Sequence, residues 1–328
     1  TTEIYTLSLH DALPISVSAS EGSLNPGFTL ASQNLLGTMI ARGGYEFDVQ
    51  ESEGKWFADL SYRGWYPVIG IQAFTAKKHE DMDTAGIARW REDEARLSIS
   101  LPLRFSSGPW SRSLTFWSRL SGLWQKPLPE ERITIRKQTR YFVDYLASFS
   151  VLHKTPVQNL VPTSGLVFRG ILRTSPFKGF HAGGQYAAEA WLYQSLRNHP
   201  AGLVLYLAHE DQTPGGYTYS RLIRMPRGYT TLSSFPTMNV VSLTVNLPLL
   251  YPDAGFSPLV YFKRIYTGLF VDYGFTGNTV FWSTGSELLC DFHLFRNKAP
   301  VKSGIRLSWN DNEQSWRADF LFRMDFVF

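Results

Sequence analysis

Apolar side chains occupy every second position at the C-terminal end of the chain: Trp316, Ala318, Phe320, Phe322, Met324, Phe326 and Phe328. The interleaved Arg317, Asp319, Leu321, Arg323, Asp325 and Val327 are mostly charged, so the segment has one apolar and one polar face at the period of a β-strand. If the apolar face meets the middle of a bilayer, a one-residue slip would turn Arg317 and Arg323 toward lipid at roughly 2–4 kcal/mol each, which sets the register. Taken alone, the segment suits either the closing strand of a transmembrane β-barrel or an amphipathic edge strand of a soluble sandwich.

The same alternation recurs upstream. Met39, Ala41, Gly43, Tyr45 and Phe47 oppose Arg42, Glu46 and Asp48, and after a Glu-Ser-Glu-Gly turn Trp56, Ala58 and Leu60 oppose Asp59 and Arg63, which reads as a hairpin. Ala95 to Phe105, Tyr141 to Val151, Val241 to Leu249 and Val301 to Trp309 repeat the pattern; segments 185–194 and 259–273 alternate too weakly to assign their faces. About fourteen strands follow: 37–50, 55–63, 68–77, 89–105, 112–124, 136–153, 164–175, 183–194, 201–208, 239–249, 259–273, 280–294, 299–309 and 315–328. Many exceed the roughly 5 to 6 residues of an ordinary soluble strand and reach the roughly 9 to 11 that cross a bilayer. The predicted class is therefore all-β, an antiparallel transmembrane β-barrel over 37–328, preceded by a periplasmic lead-in at 17–36. With the C-terminus on the periplasmic side, connections 78–88, 125–135 and 209–238 fall outside, and the shorter Gly64–Pro67, Ser106–Ser111 and Arg296–Lys298 fall inside.

Composition agrees with this class. Aromatics make up 15% of residues, with 10 Trp, while no run of eighteen apolar residues exists to form a membrane helix. Net charge is +4 without a basic block, so nothing points to nucleic acid. The single Cys290 excludes an internal disulfide framework and a Cys-rich zinc site. Residues 1–16, TTEIYTLSLHDALPIS, match the translation of a common sequencing adapter and are expected to be non-native, so His10 and Asp11 carry no functional reading.

The longest connection holds a motif. Tyr217 to Phe235 reads YTYSRLIRMPRGYTTLSSF, with Arg227-Gly228-Tyr229 shortly before the strand from Val240 and with Phe270-Val271-Asp272-Tyr273-Gly274 further on. A guanidinium in a partly wet lumen would anchor a long loop if a carboxylate met it, and Gly228 would allow a tight turn beside it. The order of these elements across about residues 201–328 resembles the barrel of the BamA-like outer-membrane assembly and secretion superfamily. In that family an R-G-[F/Y] loop folds back into the lumen and its Arg pairs with acidic residues of the inner wall. The resemblance makes Arg227, Gly228, Tyr229 and Asp272 the structural lock of an inward-folding loop, and Trp316, Phe320, Phe322, Phe326 and Phe328 the closing strand. A further family carboxylate falls near Thr244, a departure from the pattern. Asn25 to Gly44 and Gly285 to Arg306 also resemble Bacteroidota-type outer-membrane proteins that carry a TolB-like propeller ahead of the barrel. That likeness implies an intact protein with sixteen strands and upstream sequence lost at the adapter junction; a complete fourteen-stranded barrel is the alternative.

Catalytic chemistry is sparse. Glu287, Asp291 and His293 alternate along one strand face toward the lumen, where they could support an outer-membrane hydrolase or simply line the wall. Ser175-Pro176-Phe177-Lys178 fits S-x-x-K without its companion motifs. His79-Glu80-Asp81-Met82-Asp83 and His209-Glu210-Asp211 read as solvated or cation-contacting loop tips. The expectation is a non-enzymatic barrel for assembly, translocation or anchoring, without cofactor or metal, with a hydrolase and a passive pore as rivals. The partners implied are the lipid bilayer, lipopolysaccharide, and a periplasmic domain or assembly partners.

Overall fold

The computed structural model describes residues 16–20, 23–48, 53–81, 87–128, 138–156, 159–177, 183–196, 200–213, 219, 221–229, 236–256, 259–277, 279–294 and 300–324. All regular elements among them are strands. The first nine are β1 (Ser16–Ser20), β2 (Ser23–Gln33), β3 (Met39–Asp48), β4 (Glu53–Tyr62), β5 (Val68–Asp81), β6 (Ile87–Ser107), β7 (Trp110–Pro127), β8 (Gln138–His153) and β9 (Ser164–Thr174). The rest are β10 (Gly184–Ser195), β11 (Gly202–Thr213), β12 (Thr237–Leu250), β13 (Ala254–Phe256), β14 (Val260–Thr276), β15 (Thr279–Leu294), β16 (Pro300–Asn310) and β17 (Ser315–Met324). They form one sheet whose hydrogen-bonded order runs from β10 through β17, then β2 through β9, with β9 also pairing with β10.

Three of these strands were not expected. The segment 17–36, expected as a lead-in, carries β1 and β2, and β2 pairs antiparallel with β3 through Phe28↔Tyr45 and Leu30↔Gly43. Phe28 and Leu30 are exposed apolar residues at alternate positions, but Asn25-Pro26-Gly27 immediately before them reads as a turn and hides the strand. The third, β13, is a three-residue piece pairing with β14 after a shift in register at Pro248/Leu250. Expected strands also run further: β5 continues to Asp81, β7 to Pro127 and β11 to Thr213, so the connections after them are shorter than 78–88, 125–135 and 209–238. Polar strand ends look like loops when only hydrophobic alternation is followed.

Two compact units can be distinguished. The first comprises the described residues up to Pro102, Phe116–Tyr145 and Arg173–Gly183. Along β5 and β6 one face exposes Ile71, Leu97 and Ile99. The opposite face of this unit carries polar contacts. There Arg119 Nε and Arg173 Nε donate to the buried Asp144 carboxylate at 2.9 and 2.6 Å, and Arg140 donates to Gln125 at 2.6 Å. Inside a protein, two arginines sharing one carboxylate satisfy its lone pairs and offset its desolvation.

The second unit comprises Leu103–Thr115, Leu146–Leu172 and Gly184–Phe328. The two segments whose faces were unassigned resolve here: Ala187 and Glu189 on β10, and Tyr266, Phe270 and Asp272 on β14, are buried on one face, while Leu192, Leu269, Val271 and Tyr273 are exposed on the other. On β17 the expected alternation holds over the described residues. Trp316 and Phe320 are exposed, Phe322 is half-buried, and Leu321 is buried on the opposite face. Phe326 and Phe328 lie outside the described residues, as do residues 1–15 of the adapter-like segment.

Candidate functional site

The connection between β11 and β12 packs on the buried face of its own neighbours. Ile223 joins Tyr206, Met238, Val240 and Phe281 in one apolar cluster, with Leu222, Met225 and Tyr229 packed against it. Pro226 is fully buried, and its seat is Gly274 of β14: a Cβ there would lie 2.7 Å from Pro226 Cγ and 2.9 Å from Met238 Cε. Only the missing side chain lets the loop approach the strand this closely.

This approach delivers Arg227 into a set of acceptors from three strands, β12, β14 and β15. Its backbone N–H and Nε both donate to Asp272 Oδ2 at 2.8 Å, and Nη2 donates to Asp272 Oδ1 at 2.7 Å. Nη2 also lies 3.0 Å from Ser242 Oγ and 2.8 Å from Thr244 Oγ1, and Nη1 donates to Glu287 Oε1 at 3.3 Å. Glu287 accepts in turn from Arg306 Nε at 2.7 Å. The guanidinium carbon stands 3.7 Å from the centroid of the Phe270 ring, so the cation has a π face below it and carboxylates at its edges. Arg227 is 5% exposed and Asp272 1%, which makes the fork-to-carboxylate geometry necessary: a buried charge without partners would cost several kcal/mol, on the order of its desolvation.

Strand periodicity explains how the residues meet. Ser242 and Thr244 on β12, and Phe270 and Asp272 on β14, are spaced by two and share a face, and register places Ser242 opposite Asp272 and Glu287 opposite Arg306. Thr244 stands where the resemblance implied a carboxylate. Its hydroxyl accepts from Arg227, and the second negative charge comes instead from Glu287 on β15.

The neighbours of Arg227 complete the arrangement. Gly228 has φ of 89°, and a Cβ there would stand 2.3 Å from Asn310 Oδ1 and 2.6 Å from Ser308 Oγ, so both conformation and space demand glycine. Its carbonyl accepts from Asn310 Nδ2 at 2.8 Å. The Tyr229 hydroxyl donates to the Trp282 carbonyl at 2.9 Å and its ring meets Phe281 edge-on at 5.6 Å; burial pushes the phenol pKa up, keeping it a donor.

A second anchor was missed in the sequence. Glu210, expected at a solvated loop tip, is 0% exposed on β11. Its Oε2 accepts from the backbone N–H groups of Leu222 and Ile223 at 2.9 and 3.1 Å, and its Oε1 from Gln185 and Gln212, both at 2.8 Å. Tyr206, four residues earlier on the same face, donates to Glu189 at 2.7 Å and accepts from the Arg224 N–H at 2.9 Å. Continuing the even-numbered alternation Tyr206, Ala208, Glu210, Gln212 past the last apolar residue would have found it.

The row Glu287, Asp291 and His293, read as a candidate lumen-facing row, has partners along β15. Glu287 and Asp291 are buried, but each is held by arginine, Glu287 by Arg227 and Arg306 and Asp291 by Arg264 at 2.6 Å; the His293 ring lies beside Tyr261. Ser175 Oγ donates to the Tyr141 carbonyl, and Lys178 lies outside the described residues, as do the side chains of His79, Glu80 and Asp81 and the whole of Met82 and Asp83.

No family model and no curated protein matches the sequence. Among solved structures, the chain is similar to BamA from Haemophilus ducreyi lacking POTRA domains 1–3, with a TM-score of 0.57 and 12% identity over 94% of this chain and 68% of that one. It is also similar to CdiB from Escherichia coli (TM-score 0.58, 12% identity, 94% and 61% covered) and CdiB from Acinetobacter baumannii (0.56, 13%, 96% and 59%). The chain thus spans about three fifths of the two CdiB chains. It has the antiparallel transmembrane β-barrel fold of these proteins.

Proposed function

We propose that this chain is a BamA-like barrel of the bacterial outer membrane, acting in protein assembly or translocation or anchoring a periplasmic domain, rather than an enzyme. The observation that carries this reading is the burial of Arg227 against Asp272, Ser242, Thr244 and Glu287, which fixes the β11–β12 connection on the inner face of its strands. A loop fastened to the wall by a desolvated charge network suits a barrel that must hold a plugged resting state. The exposed apolar face of Phe28, Leu97, Val271, Ile305 and Phe320 supports a lipid-facing surface and so the outer-membrane location. The upstream propeller implied by the resemblance, and a barrel of sixteen strands, belong to the same proposal, and the upstream reading frame of the gene tests them. Planar-bilayer recording tests the resting state: the wild type should conduct poorly or flicker, and Arg227→Ala should open more often. A steady, large conductance in the wild type would favour the passive pore.

A further inference from the structure

The connection from β8 to β9 lies at the end of β10 and β11 opposite the connection that carries Arg227. Ser195, the last residue of β10, donates its backbone N–H to the Thr163 carbonyl at 2.9 Å, and Asn159 Nδ2 donates to Ser195 Oγ at 3.2 Å. A connection that only joined neighbouring strands would need nothing more. Instead Leu160 packs against the buried cluster of Tyr266 on β14, Leu289 on β15 and Leu321 on β17, and the Asn159 carbonyl accepts from Arg264 Nη1 at 3.2 Å. In hydrogen-bonded order these strands follow β9 only after β10, β11 and β12, so they stand roughly 19 to 34 Å away along the sheet at about 4.8 Å per strand. The sheet therefore bends around its buried face, and residues 159–163 reach across that face.

Two features seat this strap. Val161 is buried, and it rests on Gly202 at the start of β11: a Cβ there would stand 2.0 Å from Val161 Cγ2. The same device admits Pro226 at Gly274. Arg264 serves wall and strap together, because its Nε donates to Asp291 Oδ2 at 2.6 Å while Nη1 holds Asn159. The strap and the Arg227 loop also stack along β15, where Glu287 meets Arg227 and Leu289, the next residue on the same face, belongs to the cluster under Leu160. Each segment has its own glycine seat and its own arginine, so releasing one leaves the contacts of the other intact.

We propose that the β8–β9 connection is a second closure of the lumen, in series with the Arg227 loop and released separately from it. The proposal rests on the outer-membrane assembly or translocation reading above. An apolar side chain laid across a wet path narrows it and excludes water from it. Two constrictions in series both limit flow, so lifting the Arg227 loop alone leaves the strap as the narrow point. A chain in transit has to displace both closures, one from each end of β10 and β11.

The test records single openings of the full chain in planar bilayers. Arg227→Ala should open more often than the wild type but to a small conductance, because the strap stays in place. Adding Leu160→Ser, which removes the apolar contact, or Gly202→Ala, which displaces Val161, should raise that conductance about twofold or more. Adding the conservative Leu160→Met should leave it unchanged. Unchanged conductance in both the Leu160→Ser and the Gly202→Ala combinations overturns the strap, and an equal rise with Leu160→Met overturns the apolar contact as its cause. Trypsin cleavage after Arg221 checks independence: Leu160→Ser alone should not increase it, and an increase matching that of Arg227→Ala would make the two closures one latch and overturn their separation. The two levels of the argument fail differently. A closed wild type with unresponsive strap variants loses only this inference, whereas a steady, large conductance in the wild type loses the proposed function and the strap with it.

Discussion

Arg227→Ala removes every side-chain donor that binds the β11–β12 connection to Asp272, Ser242, Thr244 and Glu287. Breaking a buried ion pair from one side costs about 3–5 kcal/mol, because the partner charge stays desolvated. Here both carboxylates keep something: Asp272 keeps the Ser242 hydroxyl and the backbone N–H at position 227, and Glu287 keeps Arg306. The expected cost is therefore at the lower end, about 3 kcal/mol, and it falls on loop docking before it falls on the strands. An energy of that size raises the population of the undocked loop on the order of 100-fold. Limited trypsin digestion after Arg221 reads it, because that side chain is only 9% exposed in the docked loop, and cleavage tracks the open population when closing is fast. Adding Asp272→Asn should recover about 1–2 kcal/mol, since the stranded charge becomes an amide of the same shape. Cleavage in Arg227→Ala within about threefold of the wild type, or a double variant no better than the single one, would refute the reasoning.

Gly228→Ala should destabilise loop docking by about 1–3 kcal/mol, through both the positive φ and the contact with Asn310, and a lowered urea midpoint with unchanged slope would register it. Glu210→Gln leaves one acceptor oxygen for donors on both sides, so hydrogen exchange at Leu222 and Ile223 should rise by the equivalent of about 1–3 kcal/mol while Gly228 stays protected; equal loosening at both places would show a single cooperative latch. Phe320→Arg, on the exposed apolar face of β17, should cost about 2–4 kcal/mol in a bilayer-folding titration, whereas Phe320→Leu should be nearly neutral. A neutral Phe320→Arg would mean that this face does not meet lipid.

Strand number and face were legible wherever apolar residues alternate without interruption, as on β17, where Trp316, Phe320 and Leu321 stand as the period requires. They were not legible at strand ends built from polar residues. His209-Glu210-Asp211 looks like a loop because its polarity suits water, yet Glu210 is buried because the loop returns over it with unpaired N–H groups. Similarly, β2 contains Asn25-Pro26-Gly27, a local turn signal that pairing with β3 overrides. Glu287 was legible as an inward carboxylate but not as a partner of Arg227, sixty residues away in sequence.

By itself the sequence determined an all-β chain with one apolar and one polar face, because side-chain direction in a strand depends only on position parity. It also offered Arg227, followed by glycine in the long connection, as a loop anchor if a carboxylate met it, and the family resemblance pointed to Asp272 as that carboxylate. Tertiary structure alone decided which acceptors meet it. Register sets Ser242 beside Asp272 and Glu287 beside Arg306, the absent side chain of Gly274 admits Pro226, and Glu210 receives the loop's own backbone. Those contacts join strands distant in sequence, and their energies depend on desolvation that only the assembled sheet provides.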